Sequence, residues 1–337
     1  KSFLGCPPIA RAMLKAGVTS LGDARIENLE TMRRANVLAE MRLIRSPMLS
    51  QVDRVVAAAD VSFNTELDII GALSAAARRA DRRHEIVLMV ELGDLREGIM
   101  PGDLEAIVAK TLRLPNIVLK GIGTNLGCRS GTSPDARNMS DLSALSRSIE
   151  ANFGMRLNIV TGGNSSNLDW ALNAEHVGQI NDLRLGEAIL LGNDPLNGTS
   201  IAGLYTDAIV FVAEVIEAKL KPSMPWGDIA LSPFTRIPAT NDSAEILQVI
   251  LAVGHQDIDP AGLISAPGIK IVAASSDHLV LDAGRTQIGV GTEVAFKLTY
   301  GALLRAMTSP FVSKVMTSIG KRMVGHVDVN ELNEAIA

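Results

Sequence analysis

The segment LNIVTGGNSS, residues 157–166, joins a short aliphatic run to a turn of glycine, asparagine and serine. Seven such apolar runs occur in the first 190 residues, nearly all of them ending in a polar residue, and stretches with helical periodicity separate most of them. Strands that alternate with helices form parallel sheets with right-handed crossovers. We therefore predict a β/α barrel with strands at Val18–Leu21, Arg42–Arg45, Asp60–Phe63, Ile86–Leu92, Ile117–Gly123, Leu157–Thr161 and Asp182–Leu185.

The helices between these strands are predicted from apolar spacing and from capping residues. Pro7–Ala16, Leu67–Arg79 and Leu104–Leu114 carry their apolar residues on one face. Asp103 and Ser140 are the predicted caps of the third of these helices and of the next one along the chain.

Seven strands do not close a barrel of this type, which has eight. A seven-stranded open sheet would leave edges that must be covered. We therefore predict a (β/α)8 barrel whose first strand precedes residue 1. Reactive groups lie where barrel strands end, so Lys1 would follow that first strand and point into the site.

The pattern changes near residue 200. The next predicted strands are Ala208–Leu220, Ile246–Val253, Ile269–Ala273, His278–Leu281 and Glu293–Leu298. No convincing helical pattern separates them, which is typical of an antiparallel sheet. We predict a barrel over residues 1–200, a mainly antiparallel β domain over 201–316, and a tail of unknown role over 317–337.

Composition limits the class of protein. Of the 337 residues, 47% are hydrophobic and only 3% aromatic, so the core is built from small aliphatic side chains, as barrel strands prefer. The net charge of −5 and the lack of a basic stripe argue against nucleic-acid binding. No apolar run reaches the roughly 18 residues of a membrane span. Two cysteines do not form a disulfide framework, which favours the cytoplasm.

The strand ends supply the candidate binding residues. In Gly162–Ser166, glycines let backbone N–H groups approach a phosphate and serines add hydroxyl donors, although such clusters also form ordinary turns. Arg184 lies inside an apolar strand, where it is either a fixed cation beneath a ligand or the partner of a carboxylate such as Glu91 or Glu187. Arg96 is either a ligand clamp or half of a surface salt bridge.

Four of the five histidines divide into two groups. His255 and His278 each lie beside an aspartate and are acid–base candidates. His84 and His326 are interpreted as surface or hydrogen-bonded core residues. No spacing of side chains indicates a metal site.

Nine motifs occur in the order found in a known family: Lys1-Ser2, Asp23–Leu29, Met89–Gly98, Lys120–Leu126, Gly162–Ser166, Leu183–Glu187, Gly254–Asp257, Ala274–Leu279 and Tyr300–Leu304. The sequence thereby resembles the alanine racemase family of pyridoxal 5'-phosphate (PLP) enzymes, and its ornithine racemase branch most of all, over about residues 1–315. The resemblance implies a PLP-binding barrel, a β domain and a head-to-tail homodimer whose sites contain residues of both chains.

The resemblance also implies roles for individual residues. Lys1 matches the lysine that forms the internal Schiff base, Arg184 the arginine that faces the pyridine nitrogen, and Arg96 the arginine near the ring hydroxyl. Asn125 replaces the histidine that stacks on the ring in alanine racemases, as it does in the ornithine branch. The residues that match the phosphate site are Asn164, Ser165, Gly186, Glu187 and Tyr300.

The second catalytic base differs from that of alanine racemases. Their Gly-Tyr-x-Asp motif reads Gly254-His255-Gln256-Asp257 here, and histidine exchanges protons near neutral pH. The ornithine branch can carry a non-titrating residue at this position. His255 is therefore the first candidate, with Cys128 and Tyr300 as alternatives.

Charge suggests the substrate. The acidic residues expected around the mouth of the site are Asp23, Asp94, Glu97, Asp257 and Asp277, and the candidate substrate contacts are Asp257, Asp277 and Cys128. A cationic side chain such as that of ornithine or lysine would fit them. We therefore expect a PLP-dependent racemase of a basic amino acid. The alternatives are a racemase of small neutral amino acids such as alanine, a non-catalytic PLP carrier and, more weakly, a metal-dependent barrel lyase.

Overall fold

A computed structural model describes residues 2–228 and 245–317 of the chain. It divides into two compact units, one from Phe3 to Leu204 and one that begins at Tyr205. Lys1, the strand predicted before it, His326 and the predicted tail from residue 318 onward lie outside the described residues.

The first unit is built on six parallel strands that neighbour one another in chain order. The strands are β1 (Ser20–Asp23), β2 (Glu40–Leu43), β3 (Val61–Asn64), β4 (His84–Met89), β5 (Ile117–Gly123) and β6 (Ile159–Thr161). The helices are α1 (Pro7–Lys15), α2 (Ile26–Arg34), α3 (Val52–Ala58), α4 (Leu67–Arg79), α5 (Leu104–Thr111), α6 (Ala136–Phe153), α7 (Leu168–Asn173) and α8 (Glu187–Leu191), with 3-10 turns at Leu49–Gln51, Pro101–Asp103 and Ser165–Asn167. The predicted alternation of strand and helix is thus confirmed.

The seventh predicted strand, Asp182–Leu185, is reduced to a single parallel bridge between Asp182 and Thr161. Two backbone hydrogen bonds extend the pairing, from Gly162 N to Asp182 O (3.0 Å) and from Arg184 N to Gly163 O (2.8 Å). The segment therefore runs alongside β6 with its side chains alternating between two faces, although it is too short to count as a regular strand.

Two apolar clusters lie on opposite faces of the sheet. Ile86 and Leu88 belong to a large cluster that includes residues of α4, α5 and α6. Val87 and Met89 alternate with them and join a smaller cluster with Phe63 on the inner face. The core is mostly aliphatic, as the composition predicts.

The interpretation of His84 as a hydrogen-bonded core residue is confirmed. The side chain is 2% exposed, and its Nε2 lies 2.8 Å from the hydroxyl of Ser62. Burial and, secondarily, the charge of Arg82 lower the pKa of His84 to about 4, so the imidazole is neutral at pH 7.

The predicted cap of α6 is wrong. Asp135, not Ser140, caps it: the Asp135 carboxylate accepts from the Asn138 N–H (2.8 Å), and the Asn138 side chain accepts from the Asp135 N–H (2.9 Å). At α5 the predicted Asp103 occupies the cap position without a side-chain cap hydrogen bond. No helix in the described ranges combines the length and apolar character needed to cross a membrane.

The second unit contains an antiparallel sheet in the order β10-β11-β8-β7-β12-β9. Its strands are β7 (Phe211–Pro222), β8 (Glu245–Leu251), β9 (Leu263–Ile264), β10 (Lys270–Ala274), β11 (Leu279–Asp282) and β12 (Glu293–Leu298), with a 3-10 turn at Pro260–Gly262. The predicted antiparallel character is confirmed. The sequence reasoning missed helix α9 (Tyr300–Thr308), which follows the last strand and is capped by the Thr299 hydroxyl.

Candidate active site

The loop after β4 folds around the carboxylate of Glu91. Its Oε1 accepts hydrogen bonds from the N–H groups of Gly93 (2.6 Å) and Leu95 (2.9 Å), and its Oε2 accepts one from the N–H of Arg96 (3.2 Å). A Cβ at Gly98 would lie 2.5 Å from the backbone nitrogen of Glu91, so this close approach requires glycine. Glu91 therefore positions the backbone of Arg96 and serves a structural purpose.

A second carboxylate ties this loop to the one after β5. Asp94 is 1% exposed, and its Oδ1 accepts from the N–H groups of Cys128 (3.1 Å), Arg129 (3.0 Å) and Ser130 (3.2 Å). Burial acts to raise the pKa of Asp94, but these donors outweigh it and hold the pKa below its ordinary value. Asp94 is therefore an ionised anchor between the two loops.

The two anchored loops bring Arg96 and Cys128 together. The Arg96 Nη1 lies 3.0 Å from the Cys128 sulfur, and its Nε lies 2.8 Å from Oε2 of Glu97. Cys128 is exposed. Arg96 thus forms a salt bridge and also faces a thiol 32 positions away in the chain, a contact that its sequence neighbours did not indicate.

Asn164 connects the Gly162–Ser166 loop to the loop after β5. Its Nδ2 donates to Oδ1 of Asn125 (3.1 Å) and to the carbonyl of Leu126 (2.8 Å), while its Oδ1 accepts from the N–H of Ser166 (2.8 Å). The Nδ2 of Asn125 is buried and has no hydrogen-bond acceptor among the described residues. Asn125 therefore retains a donor for a ligand.

Ser165 begins the 3-10 turn after β6, and its side chain contacts the start of α8. Its hydroxyl oxygen accepts hydrogen bonds from the N–H groups of Gly186 (3.0 Å) and Ala188 (3.2 Å), and its side chain is buried. An oxygen that accepts twice directs its own hydrogen elsewhere, so the Ser165 O–H can donate to an anion. Glu187, between these two donors, is half-buried; burial and the charge of Asp194 raise its pKa.

Arg184 is the most constrained cation of the site. Its Nη1 donates to the Thr161 hydroxyl (2.5 Å), and its Nη2 donates to the Thr124 carbonyl (2.6 Å) and, at 3.4 Å, to Asn125 Oδ1. The guanidinium also lies 5.3 Å from the centre of the Phe63 ring. Its Nε–H has no acceptor among the described residues.

The electrostatics of Arg184 decide between its two predicted interpretations. Neither Glu91 nor Glu187 forms an ion pair with it within the described chain, so the ion pair suggested by the sequence is not formed. Burial lowers the pKa of Arg184 to about 10, which still leaves the guanidinium protonated at pH 7. It is a fixed cation held by neutral groups.

The first unit therefore links Arg184, Asn125 and Asn164 by hydrogen bonds, and Ser165, the next residue after Asn164, is hydrogen-bonded to Gly186. Sequence reasoning missed three residues that hold Arg184, namely Phe63, Thr124 and Thr161. Thr124 and Thr161 follow or end strands and Phe63 occupies an inward strand position, so strand parity would have indicated them once the register was known.

In the second unit, α9 anchors the loop that carries His255. The Arg305 Nη2 donates to the His255 carbonyl (2.6 Å), and the His255 N–H donates to the carbonyl of Ser275 (2.9 Å). Tyr300, the first residue of α9, is half-buried. The backbone position of His255 is thereby defined by both neighbouring segments.

The two acidic substrate candidates of this unit bind neutral groups. Asp257 accepts a hydrogen bond from the Ser309 hydroxyl (2.8 Å). Asp277 is exposed and accepts from Gln256 (2.8 Å) and from the Ser276 hydroxyl (2.8 Å). No basic side chain in the described part of the unit neutralises either carboxylate.

The prediction of an acidic mouth is corrected at two positions. Asp23 is fully buried, and it accepts hydrogen bonds from the Arg25 N–H (2.9 Å) and the Asn28 side chain (3.0 Å) at the start of α2. Burial raises its pKa. Asp94 is the buried loop anchor described above. Asp23 ends β1 and Asp94 lies in the loop after β4; both carboxylates shape loops, so neither offers an exposed charge.

Comparison with known proteins shows that the chain belongs to the alanine racemase family. Residues 3–194 match the family model described as alanine racemase, N-terminal domain. An ornithine racemase of Acetoanaerobium sticklandii is 36% identical over 318 residues, which are 93% of this chain and 90% of that protein. A lysine racemase of Thermotoga maritima is 38% identical over 319 residues, 94% of this chain and 89% of that protein.

Solved structures agree on the fold. An alanine racemase from Streptomyces lavendulae superposes with a TM-score of 0.68 at 18% identity, over 90% of this chain and 86% of that one. A D-threonine aldolase from Filomicrobium marinum gives 0.67 at 15% identity, over 91% and 79%. The predicted fold, a barrel of the alanine racemase type followed by a β domain, is confirmed. Since proteins with both names share it, the fold alone does not specify the reaction.

Proposed function

Because the chain belongs to the alanine racemase family, we propose that it is a PLP-dependent racemase that interconverts the L and D forms of a basic amino acid such as ornithine or lysine. The relatives named ornithine racemase and lysine racemase align with 93% and 94% of the chain. The structural observation that supports the proposal most is Arg184, a cation fixed by neutral partners whose Nε–H has no acceptor among the described residues.

The described residues fit PLP. The buried Nδ2 of Asn125 lacks an acceptor, and the Ser165 hydroxyl has a hydrogen to donate beside the start of α8. Asn164, Ser165 and Gly186 would hold the phosphate, with Tyr300 and the Glu187 backbone as further contacts. Arg184 would face the ring nitrogen and Arg96 the ring hydroxyl. When bound, PLP supplies the electron sink that makes the Cα proton of an amino acid exchangeable.

Arg184 would control the protonation of the ring nitrogen. An arginine does not give up its proton near pH 7, and its charge disfavours a second proton opposite it. The nitrogen would therefore stay unprotonated, which favours return of the proton to Cα over transamination. The hydrogen bonds to Thr161 and Thr124 prevent the guanidinium from turning away.

Two bases would exchange the Cα proton. Lys1, which lies outside the described residues, would carry the cofactor and, after the substrate amine has replaced it there, would use its freed amine to take the proton from one face of the substrate. His255 of a second chain would return a proton to the other face, in the head-to-tail homodimer that the family resemblance implies. Cys128, beside Arg96, and Tyr300 are the alternatives for this second base.

A basic substrate is proposed from the family branch and from charge. Asp257 and Asp277 have neutral described partners, so either carboxylate can receive an ammonium group. Cys128 is a further proposed contact. We also propose a cytoplasmic location, since both cysteines of the described chain are free and such thiols persist in a reducing compartment.

Circular dichroism of L-ornithine, L-lysine and L-alanine incubated with the PLP-loaded protein tests the function. We expect loss of optical activity with ornithine or lysine at least tenfold faster than with alanine. Faster racemisation of alanine would replace the basic substrate by a small neutral one. Bound PLP without loss of optical activity for any of the three would favour a non-catalytic carrier.

The cofactor lysine is tested by absorbance and intact mass. The wild-type protein should show a visible band and a PLP-sized adduct after borohydride reduction, and Lys1→Ala should lose both. Lys15→Ala, which removes an exposed lysine at the end of α1, is the matched control. An adduct that persists in Lys1→Ala would overturn the assignment.

A further inference from the structure

Five charged side chains form an ion network on the inner face of the barrel sheet, outside the proposed chemistry. Arg42 reaches Glu40 through Nε (2.6 Å) and Asp182 through Nη1 (2.6 Å). Lys120 reaches Glu40 and Glu85 at 2.5 Å each. Three carboxylates meet two cations, so the network carries a surplus of one negative charge. Residual exposure of its side chains ranges from 12% for Arg42 to 39% for Glu85.

Asp182 connects this network to Arg184. The two residues are two positions apart in the extended segment beside β6, so their side chains share a face. Both meet Thr161: Asp182 pairs with its backbone, and Arg184 donates to its hydroxyl. The Asp182 Oδ2 is buried and has no hydrogen-bond partner within the described ranges.

The groups that face Arg184 are otherwise neutral or balanced. Its direct contacts, from β3, β6 and the loop after β5, are Phe63, Thr161, Thr124 and Asn125. The charged groups that act on it are Asp182, Arg96, Glu97 and Arg42. After burial, Asp182 has the largest influence, and it opposes the effect of burial. The surplus negative charge of the network thus equals the single positive charge of Arg184.

We propose that Asp182, held by Arg42, is the counter-charge that stabilises the cationic form of Arg184, and is therefore a positioning residue for the racemase reaction proposed above, on which this inference rests. The network holds the carboxylate at a fixed site without pairing it directly to the guanidinium. A direct ion pair would occupy the N–H groups that the ligand requires. A carboxylate one step removed stabilises the cation and leaves its Nε–H available.

The test compares two variants that remove one carboxylate each from the same network. Asp182→Asn removes the group that acts on Arg184, whereas Glu85→Gln removes a Lys120 partner that is not among the groups acting on Arg184. Asp182→Ser also removes the carboxylate but leaves a smaller side chain, and Asp182→Glu keeps the negative charge. The affinity for added PLP is measured by fluorescence from pH 7 to 10.5, and urea midpoints monitor folding.

Loss of the Arg184 proton removes the charge-assisted donor that would face the ring nitrogen, so PLP affinity should fall on the alkaline side. In Asp182→Asn and Asp182→Ser the midpoint of this fall should move down by about 1 pH unit, since removal of a nearby carboxylate destabilises the cation by this order. Glu85→Gln and Asp182→Glu should stay within about 0.3 units of wild type.

Equal midpoints for Asp182→Asn and Glu85→Gln would overturn the inference, because they would reduce Asp182 to one structural ion pair among several. If Asp182→Asn does not fold and Asp182→Ser does, the comparison is made between the alkaline midpoints of Asp182→Ser and Glu85→Gln. A wild-type protein that binds PLP with unshifted Asp182 variants refutes only this inference. A wild-type protein that does not bind PLP refutes the proposed function and the inference together.

Discussion

The barrel site and the Gly254–Asp257 loop of the second unit are held in different ways. In the barrel, hydrogen bonds fix the side chains of the candidate site themselves: Arg184 donates to three acceptors, and Ser165 accepts from two N–H groups. In the second unit, Arg305 and Ser275 bind the backbone of His255. The barrel thus offers a rigid, specified surface, and the loop offers a fixed backbone on which the side chain can vary.

This difference has a chemical meaning. A cofactor site requires a cation and donors at fixed positions, so buried, mutually bonded residues suit that purpose. A proton-exchanging residue needs a suitable pKa more than a dense set of partners. The loop position that reads tyrosine in alanine racemases can therefore read His255 here without rebuilding the fold.

The largest expected effect separates chemistry from stability in the second unit. His255→Phe should reduce kcat for the basic amino acid by about 10²–10⁴-fold, the usual contribution of a general acid or base. The unfolding free energy should change by less than about 0.5 kcal/mol, since the backbone anchors remain. His278→Phe, at an exposed histidine that also follows an aspartate, is the control. A kcat of His255→Phe that equals those of His278→Phe and of the wild type would transfer the second base to Cys128 or Tyr300.

In the barrel, a single change should affect stability and reaction specificity together. Arg184→Glu leaves the buried hydroxyl of Thr161 and carbonyl of Thr124 without their donor, at a cost of about 2–4 kcal/mol in urea unfolding. It should also raise the ratio of transamination to racemisation, measured as keto acid against D-amino acid. Arg147→Glu on the exposed face of α6 should change neither. An unchanged product ratio would contradict the assigned role of Arg184.

The pH dependence of the unfolding free energy should report the lowered pKa of His84, a buried histidine of the barrel. The pKa of His84 is lowered to about 4 from an ordinary 6.5, so the unfolded chain binds more protons between these values. Stability from this group is complete above pH 6.5 and falls as the pH drops towards 4, by about 3 kcal/mol. Urea unfolding between pH 7 and 4 measures it. His84→Gln should flatten that slope, whereas exposed His278→Gln should follow wild type.

The smallest expected effect concerns the start of α8. Ser165→Ala removes the acceptor of the Gly186 and Ala188 N–H groups and the proposed phosphate donor, so PLP affinity should fall about tenfold, or 1.4 kcal/mol. Ser148→Ala, on the exposed surface of α6, is the control. Unaltered affinity in Ser165→Ala would show that the phosphate is held elsewhere. The hydrogen bonds that fix Ser165 would then not contribute to cofactor binding.

Sequence reasoning reached much of the architecture because its signals are local. Strand β5 and helix α4 have the predicted bounds, since a run of apolar residues or a helical face lies within a few positions of itself. The same reasoning placed the cap of α6 at Ser140, because several polar residues near that helix start look alike. Only the backbone geometry distinguishes Asp135 as the residue that caps.

The candidate site was partly readable for the same reason. Gly162–Ser166 and Arg184 stood out as a turn and as a charge in an apolar segment. Asp23 and Asp94 looked like mouth residues, yet Asp23 binds a backbone N–H group of its own loop and Asp94 binds those of the loop after β5. An aspartate after a strand looks the same in the sequence whether it is an exposed residue of the mouth or a buried residue that binds loop N–H groups. Only its partners in the structure distinguish the two.

The amino-acid sequence by itself determined the alternation of strands and helices, the change to an antiparallel unit and the family to which the chain belongs. Tertiary structure alone decided that Arg184 would rest on Phe63 and Thr161, and that Arg42 would meet Asp182 across 140 positions. The physical reason is range. Backbone preference and periodicity act over a few residues, whereas the environment of a charge depends on side chains that meet only after the sheet has formed.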